Sequence, residues 1–177
     1  MIRAKYARPE LERRWLVRRL PDLRLTDPRR IDDRYLEGTT LRLRMVTYLG
    51  GRRVPEYKLG QKLRPDPSNP ARVMHTSIYL TGDEHSRLCA LPAAELSKVR
   101  HIVPAARNQF GLDVFGGRHR GLAMVEVELH DDLDPEPPDF AGPEVTGDER
   151  FSGGWLAFAS AEQLTELLRA RAIVDGG

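Results

Sequence analysis

The sequence predicts an α+β domain built on an antiparallel sheet, and three observations lead there. About eight short segments alternate charged and apolar residues, the two-residue period of a half-buried strand. Breaks rich in glycine or proline separate several neighbours closely enough for hairpins. Only two or three stretches carry helix-start signals. With 177 residues, 40% of them hydrophobic, the chain is long enough to bury one core, and a single domain over residues 1–177 is expected.

The first strand is expected over Leu11 to Val17, ending near Pro21. In an extended chain Glu10, Glu12 and Arg14 share one face, and Leu11, Arg13 and Trp15 share the other. Asp22 to Pro28 reads as a short helix or turn, because aspartates and prolines bracket few residues. Ile31 to Leu36, the turn Glu37-Gly38-Thr39 and the strictly alternating Thr40 to Val46 form a hairpin. Gly50-Gly51 supplies the next turn, and Tyr57 to Lys62 continues the meander with Lys58 and Lys62 on one face. Arg64 to Pro70 is a proline-interrupted loop, followed by a β-branched and aromatic strand from Val73 to Thr81.

Thr81-Gly82-Asp83-Glu84 opens a helix of about ten residues, with Leu88 and Leu91 inward and Pro92 as its stop. Leu96 to Val103 alternates again and puts Lys98, Arg100 and Ile102 on one face. Gln109 to Phe115 and Leu122 to Leu129 pair about Gly116-Gly117, with Glu126 and Glu128 opposite apolar neighbours. Asp131 to Pro143, rich in proline and acid, reads as a surface loop. Ser160 and Gln163 have capping-box spacing, and Leu164, Leu167 and Leu168 mark the buried stripe of the helix that follows.

Composition excludes several classes. Lys and Arg number 28 against 26 Asp and Glu, so net charge alone does not adapt the chain to coat nucleic acid. The single cysteine, Cys89, permits neither an internal disulfide nor a thiolate metal cluster and is expected to fill an apolar helix face. No stretch approaches the roughly 20 apolar residues of a membrane span, and the N-terminal residues lack an apolar run. A cytoplasmic location is expected.

The charges are the unusual feature. Glu10 with Glu12, Arg42 with Arg44, Lys58 with Lys62, Lys98 with Arg100, and Glu126 with Glu128 each stand at even spacing. A half-open sheet with its charged side in water accounts for any one pair. Single-sign strands, however, leave neighbouring side chains repelling each other. Clustered Arg and Lys suit a polyanion, and clustered Glu suits a hard cation.

Glu10-Leu11-Glu12-Arg13-Arg14 resembles the E-x-E-x-K signature of the CYTH family, the triphosphate tunnel metalloenzymes. That family includes class IV adenylate cyclases, thiamine triphosphatases and inorganic tripolyphosphatases. The similarity continues in order through Leu41-Arg42-Leu43-Arg44, Tyr57-Lys58, Lys98 with Arg100, Leu112-Asp113-Val114-Phe115, Val125-Glu126-Val127-Glu128 and Val145 to Phe151. The resemblance implies a closed antiparallel eight-stranded β-barrel with charges pointing into a tunnel and helices packed outside.

It further implies that Glu10, Glu12, Glu126 and Glu128 hold Mg²⁺ or Mn²⁺, with Asp148 as an additional carboxylate. Arg14, Arg42, Arg44, Lys58, Lys98 and Arg100 would grip the triphosphate, with Lys62, Arg72 and Arg150 as outlying candidates. Glu10, Glu12, Arg14, Glu126 and Glu128 form the expected catalytic set. Asp113 is expected to orient a basic neighbour, while His75, His85, His101, His119 and His130 match no motif and are expected on walls or surface. Arg14 stands where the family pattern has Lys, and Gly111 and Val73 to Ser77 stand where many members carry Glu; the resemblance implies one or two metal ions, and the remaining acids suffice for one.

The expected activity is metal-dependent hydrolysis of inorganic tripolyphosphate or an organic triphosphate. A class IV type of adenylate cyclase and a non-catalytic polyphosphate or nucleotide sensor are the alternatives. The expected partners are a small-molecule triphosphate and, in a homodimer, a second copy of the chain, with no membrane and no nucleic acid.

Overall fold

Eight strands, each antiparallel to the neighbours it pairs with, make up the computed structural model, which describes residues 5–22, 26–103, 109–129 and 136–173, the last four by their backbone. They are β1 (Arg8–Leu16), β2 (Thr26–Leu36), β3 (Leu41–Tyr48), β4 (Glu56–Leu63), β5 (Arg72–Leu80), β6 (Ala93–Val103), β7 (Phe110–Phe115) and β8 (Ala123–Leu129). Pairing follows the order β1-β5-β4-β3-β2-β6-β7-β8 and returns from β8 to β1, which closes an antiparallel barrel. Three helices, α1 (Gly82–Leu88), α2 (Gly153–Phe158) and α3 (Ala161–Ile173), complete the α+β architecture expected from the sequence. Residues 1–4, 23–25 and 131–135, and His130, lie outside the described residues. No helix among the described residues is long and apolar enough to cross a membrane.

Local chemistry accounts for most of the elements. The β2–β3 hairpin turns at Gly38, whose φ of 67° lies in the left-handed region that glycine adopts without steric cost. Thr81 and Glu84 form the capping box of α1, each bonding to the other's backbone. Ser160 and Gln163 do the same ahead of α3, with Leu164 and Leu167 buried beneath it.

Several expectations are corrected. The turn expected up to Pro28 ends sooner, since β2 already begins at Thr26. Asp27 has φ 46° and the register shifts between Thr26 and Arg29, because Pro28 has no N–H for a regular ladder. Helix α1 has seven residues, none of them buried, and Leu91 beyond it is 45% exposed. Its end is set by Cys89, half-buried at the C-cap, after which the chain turns through Pro92 into β6. Helix α2 is not among the expected elements, and Gly153-Gly154 gives its first turn low helix propensity; Ser152 starts it by accepting a bond from Trp155 N at 3.2 Å.

The described part of the proline-rich loop is irregular, as expected, yet it also packs. Gly142 N donates to Leu16 O at 2.7 Å, Leu16 N donates to Pro143 O at 3.0 Å, and Glu144 bridges to Trp15. This lays Phe140 and Ala141 over the outward apolar cluster of Trp15, Phe110, Leu112, Val125 and Val127. A second cluster fills one end of the barrel. Leu96, Phe115 and Met124 stand on the same strand faces as Lys98, Asp113 and Glu126, and they pack with Phe151, Leu156 and Leu164. Helices α2 and α3 thus cover that end, and the charged lumen begins where their apolar contacts stop.

Phe151 is the keystone of this contact, with no solvent exposure. Phe151→Ala is expected to cost about 3–5 kcal/mol of stability, read as a fall in the urea unfolding midpoint with an unchanged slope.

Candidate active site

Alternation along the strands decides which side chains enter the barrel. On β1 it sends Glu10, Glu12 and Arg14 inward, and the β1–β8 register sets Glu12 opposite Glu128 and Arg14 opposite Glu126. Strand β3 contributes Arg42 and Arg44, β4 contributes Lys62, and β6 contributes Lys98 and Arg100. Together they line a cavity of about 670 Å³. Arg29 and Asp33 from β2 and Arg64 from the β4–β5 loop join them, giving eight basic and five acidic side chains in the lining. The lumen therefore keeps positive charge in excess.

Two carboxylates anchor four of the eight basic groups. Asp33, 2% exposed, receives bonds of 2.7 Å from both Nε and Nη2 of Arg44, and Arg42 Nε lies 3.6 Å away. Burial would raise the Asp33 carboxyl, but the two guanidinium groups outweigh it and hold the pKa at about 2. Asp113, on the inward face of β7, is fully buried; Arg100 donates to its two oxygens at 2.7 and 2.6 Å and Lys98 donates to Oδ2. Asp113 therefore holds two basic neighbours. Burial pushes the Lys98 amine down despite that partner.

Arg100 also donates to Glu126, so one guanidinium joins the buried acid to a lumen acid. Burial would raise Glu126, yet Arg100, Lys98 and Arg14 hold it well below the ordinary carboxylate range. Gly111 makes this route possible. A Cβ there would stand 3.2 Å from Cδ and Nε of Arg100, so the side chain crosses the strand where a larger residue would crowd it.

The β1 acids have partners of their own. His75 Nδ1 and Glu10 Oε1 are hydrogen-bonded at 2.7 Å, and Lys62 Nζ lies 3.1 Å from Glu10 Oε2. Lys62 also donates to Glu12, and Arg14 Nη2 donates to Glu12 at 3.3 Å. Burial works to raise Glu10, but the His75 hydrogen bond and the Lys62 charge bring it down to about 2. Arg14 Nη1 donates to Phe151 O at 3.0 Å, which ties the lumen to its apolar floor.

Four of the residues expected at the site lie off the lumen. Lys58 shares the face of Lys62, but Glu56 holds its ammonium at 3.0 Å near the start of β4, beside the Tyr79 ring. Arg72 pairs with Leu11 across β1 and β5, so alternation turns it outward from His75, and it is exposed. Asp148 caps the short turn Glu149–Phe151 by accepting from Arg150 N, and Arg150 closes back on it with two further bonds. The local pairing of Asp148 and Arg150 accounts for both positions.

Asp33, Arg29, Arg64, Tyr35 and His75 line the cavity without having been singled out from the sequence as site residues. A signal for Asp33 exists, because the hairpin about Gly38 pairs it with Arg44. Arg64 carries no periodic signal, being a loop residue.

The fit to a metal ion is mixed. Glu10, Glu12, Glu126 and Glu128 supply hard oxygen donors on adjoining strands, the chemistry that Mg²⁺ and Mn²⁺ take. Among the described residues, however, no group of three or more acidic, His or Cys side chains is gathered to hold a metal. Glu10, Glu12 and Glu126 are each bonded to basic side chains. The set fits a divalent cation in kind and in register, and holding one requires these carboxylates to leave their present partners.

Depressed carboxyl pKa values make the barrel acid-sensitive. Asp33 and Glu10 ionise at about 2 in the fold against ordinary values of 3.8 and 4.5. The unfolded chain therefore binds more protons between those values, and stability present above about pH 4.5 is lost as pH falls through about 2. The expected share of Asp33 is about 2 kcal/mol. Urea midpoints measured from pH 6 to pH 2 should fall steeply in the wild type and less steeply in Asp33→Asn.

No protein-family model matches the sequence, and no curated protein matches it. Solved structures do match. The crystal structure of the hypothetical protein NE1496 is similar with a TM-score of 0.57 at 26% identity, covering 85% of this chain and 98% of that one. A crystal structure of the inorganic triphosphatase NE1496 aligns with a TM-score of 0.57 at 24% identity, over 90% of this chain and 97% of that one. A conserved hypothetical protein from Pyrococcus furiosus shares the fold with a TM-score of 0.50 at 13% identity, over 90% and 88%. Along nearly the whole length, this chain and these solved structures share one fold.

Proposed function

We propose that this protein is a metal-dependent triphosphatase that hydrolyses inorganic tripolyphosphate or an organic triphosphate inside the barrel. The observation that carries the reading is the lumen itself, where eight basic and five acidic side chains surround about 670 Å³. An excess of buried positive charge is costly in the absence of an anion, and a polyanion the width of a phosphate chain relieves it. The fold shared with NE1496, an inorganic triphosphatase, lends further support.

Arg42, Arg44, Lys98 and Arg100 would bind phosphoryl oxygens. Asp33 and Asp113 fix the direction of these groups before substrate arrives, which removes reorganisation from the chemical step. Arg14, held between Glu12 and Phe151 O, would meet the chain at the β1 wall. The carboxylates of Glu10, Glu12, Glu126 and Glu128 would hold the divalent ion. When bound, such an ion polarises a phosphoryl oxygen and lowers the pKa of water at its surface. In-line transfer then spreads charge over equatorial oxygens that the basic wall already faces.

Purified protein with Mg²⁺ or Mn²⁺ and a panel of tripolyphosphate, thiamine triphosphate and ATP tests the reading. Orthophosphate release is the expected result. Cyclic AMP with pyrophosphate would replace it with a cyclase, and binding without turnover would leave a sensor. Glu12→Gln should lower metal-dependent turnover about a hundredfold or more while the protein stays folded by circular dichroism. Turnover unchanged in that variant would sink the assignment of Glu12 to the metal.

A further inference from the structure

The tie between β4 and β1 is unlike the other ion pairs of the lumen. Lys62 stands on β4, two strands from β1 in the barrel order, and its side chain reaches across β5 to bridge two carboxylates at once. Its ammonium lies 3.1 Å from Glu10 Oε2 and bonds directly to Glu12 Oε1. Glu128, directly opposite Glu12, forms no hydrogen bond or ion pair among the described residues. On this wall Lys62 thus serves Glu10 and Glu12 together, with Arg14 as a further partner of Glu12. Asp33 and Asp113 differ, because their planar guanidinium partners are locked by paired bonds and burial. A lysine holds its charge at the end of a flexible four-carbon stem and is the partner more readily withdrawn.

We propose that Lys62 is a built-in counter-cation that occupies the Glu10–Glu12 pair in the empty lumen and competes with a divalent cation for the same oxygens. The proposal rests on the metal-dependent reading above and adds a condition to it. A metal reaches Glu10 and Glu12 only when Lys62 swings away, and the group that draws an ammonium off a carboxylate here is a phosphate entering beside it. Metal loading is thereby coupled to anion loading, and the carboxylates stay neutralised when no substrate is present. Lys62 acts as a positioning residue, through the carboxylates and not on the reacting atoms.

The test measures Mn²⁺ alone, with no triphosphate, titrated into wild type, Lys62→Gln, Lys62→Met and Lys62→Arg and followed by the electron paramagnetic resonance signal of free Mn²⁺. Circular dichroism melts establish that each variant is folded. Removing the competing charge in Lys62→Gln or Lys62→Met should tighten Mn²⁺ binding about tenfold or more. Lys62→Arg, which keeps the charge, should stay within about threefold of wild type. A purely structural Lys62 predicts weaker binding on its loss, so the gain is diagnostic. Equal or weaker Mn²⁺ binding by a folded Lys62→Gln or Lys62→Met protein overturns the role of Lys62 and leaves the metal-dependent reading standing. If neither wild type nor these variants bind Mn²⁺ at millimolar concentration, both fall.

Discussion

Charge neutralisation inside a closed barrel is the constraint from which the other features of this structure follow. Closing eight strands with their charged faces inward removes every sheet edge but takes Asp33, Asp113, Lys98 and Glu126 out of water. Each of these is affordable only with a partner in hydrogen-bonding reach, and each has one. The partners are mostly cross-strand neighbours, such as Asp33 with Arg44 and Arg100 with Asp113. Strand register and lumen electrostatics are therefore one property, and a slip of one residue would undo both.

The same inversion dictates what lies elsewhere. With charges inside, the outward faces of β1, β7 and β8 are apolar, and they require a cover that the barrel itself does not supply. The irregular segment around Phe140 and Ala141 provides it, anchored along β1 by backbone bonds to Leu16. At one end of the barrel the inward faces turn apolar as well, at Leu96, Phe115 and Met124, and the segment of α2 and α3 packs there. Gly153 belongs to this fit, since a Cβ would stand 2.0 Å from the Tyr35 hydroxyl oxygen. Backbone approach at that point is closer than any side chain permits.

Much of this was legible in the sequence because the strands obey a strict period of two. Alternation alone sorted Glu10, Glu12 and Arg14, Arg42 and Arg44, Lys98 and Arg100, and Glu126 and Glu128 onto common faces, and all of them line the cavity. What alternation does not encode is height along the barrel. Lys58 has the right face and stands beside Glu56 near the start of its strand, and so it leaves the lumen. Nor does it reach outside the strands, where Arg64 joins the lining from a loop and Asp148 closes on Arg150 two residues away. Helix α2 was hidden because its glycines serve packing against Tyr35, at the expense of helix propensity.

Arg14 shows how the local and global demands meet in one side chain. It stands where the signature that the sequence resembles has Lys, and a lysine there would present one compact charge to the lumen. The guanidinium does two things at once: Nη2 donates to Glu12 and Nη1 donates to the carbonyl of Phe151, the residue packed into the apolar floor. A planar fork with fixed donor directions can serve both partners together, which a point charge on a flexible stem does less well. The substitution thus couples the carboxylate that Lys62 also holds to the segment closing the barrel end. Displacement of Lys62 leaves Glu12 with Arg14 and Glu10 with His75 as their remaining partners. Each acid on β1 thus keeps one partner that holds its orientation, a guanidinium for Glu12 and an imidazole for Glu10.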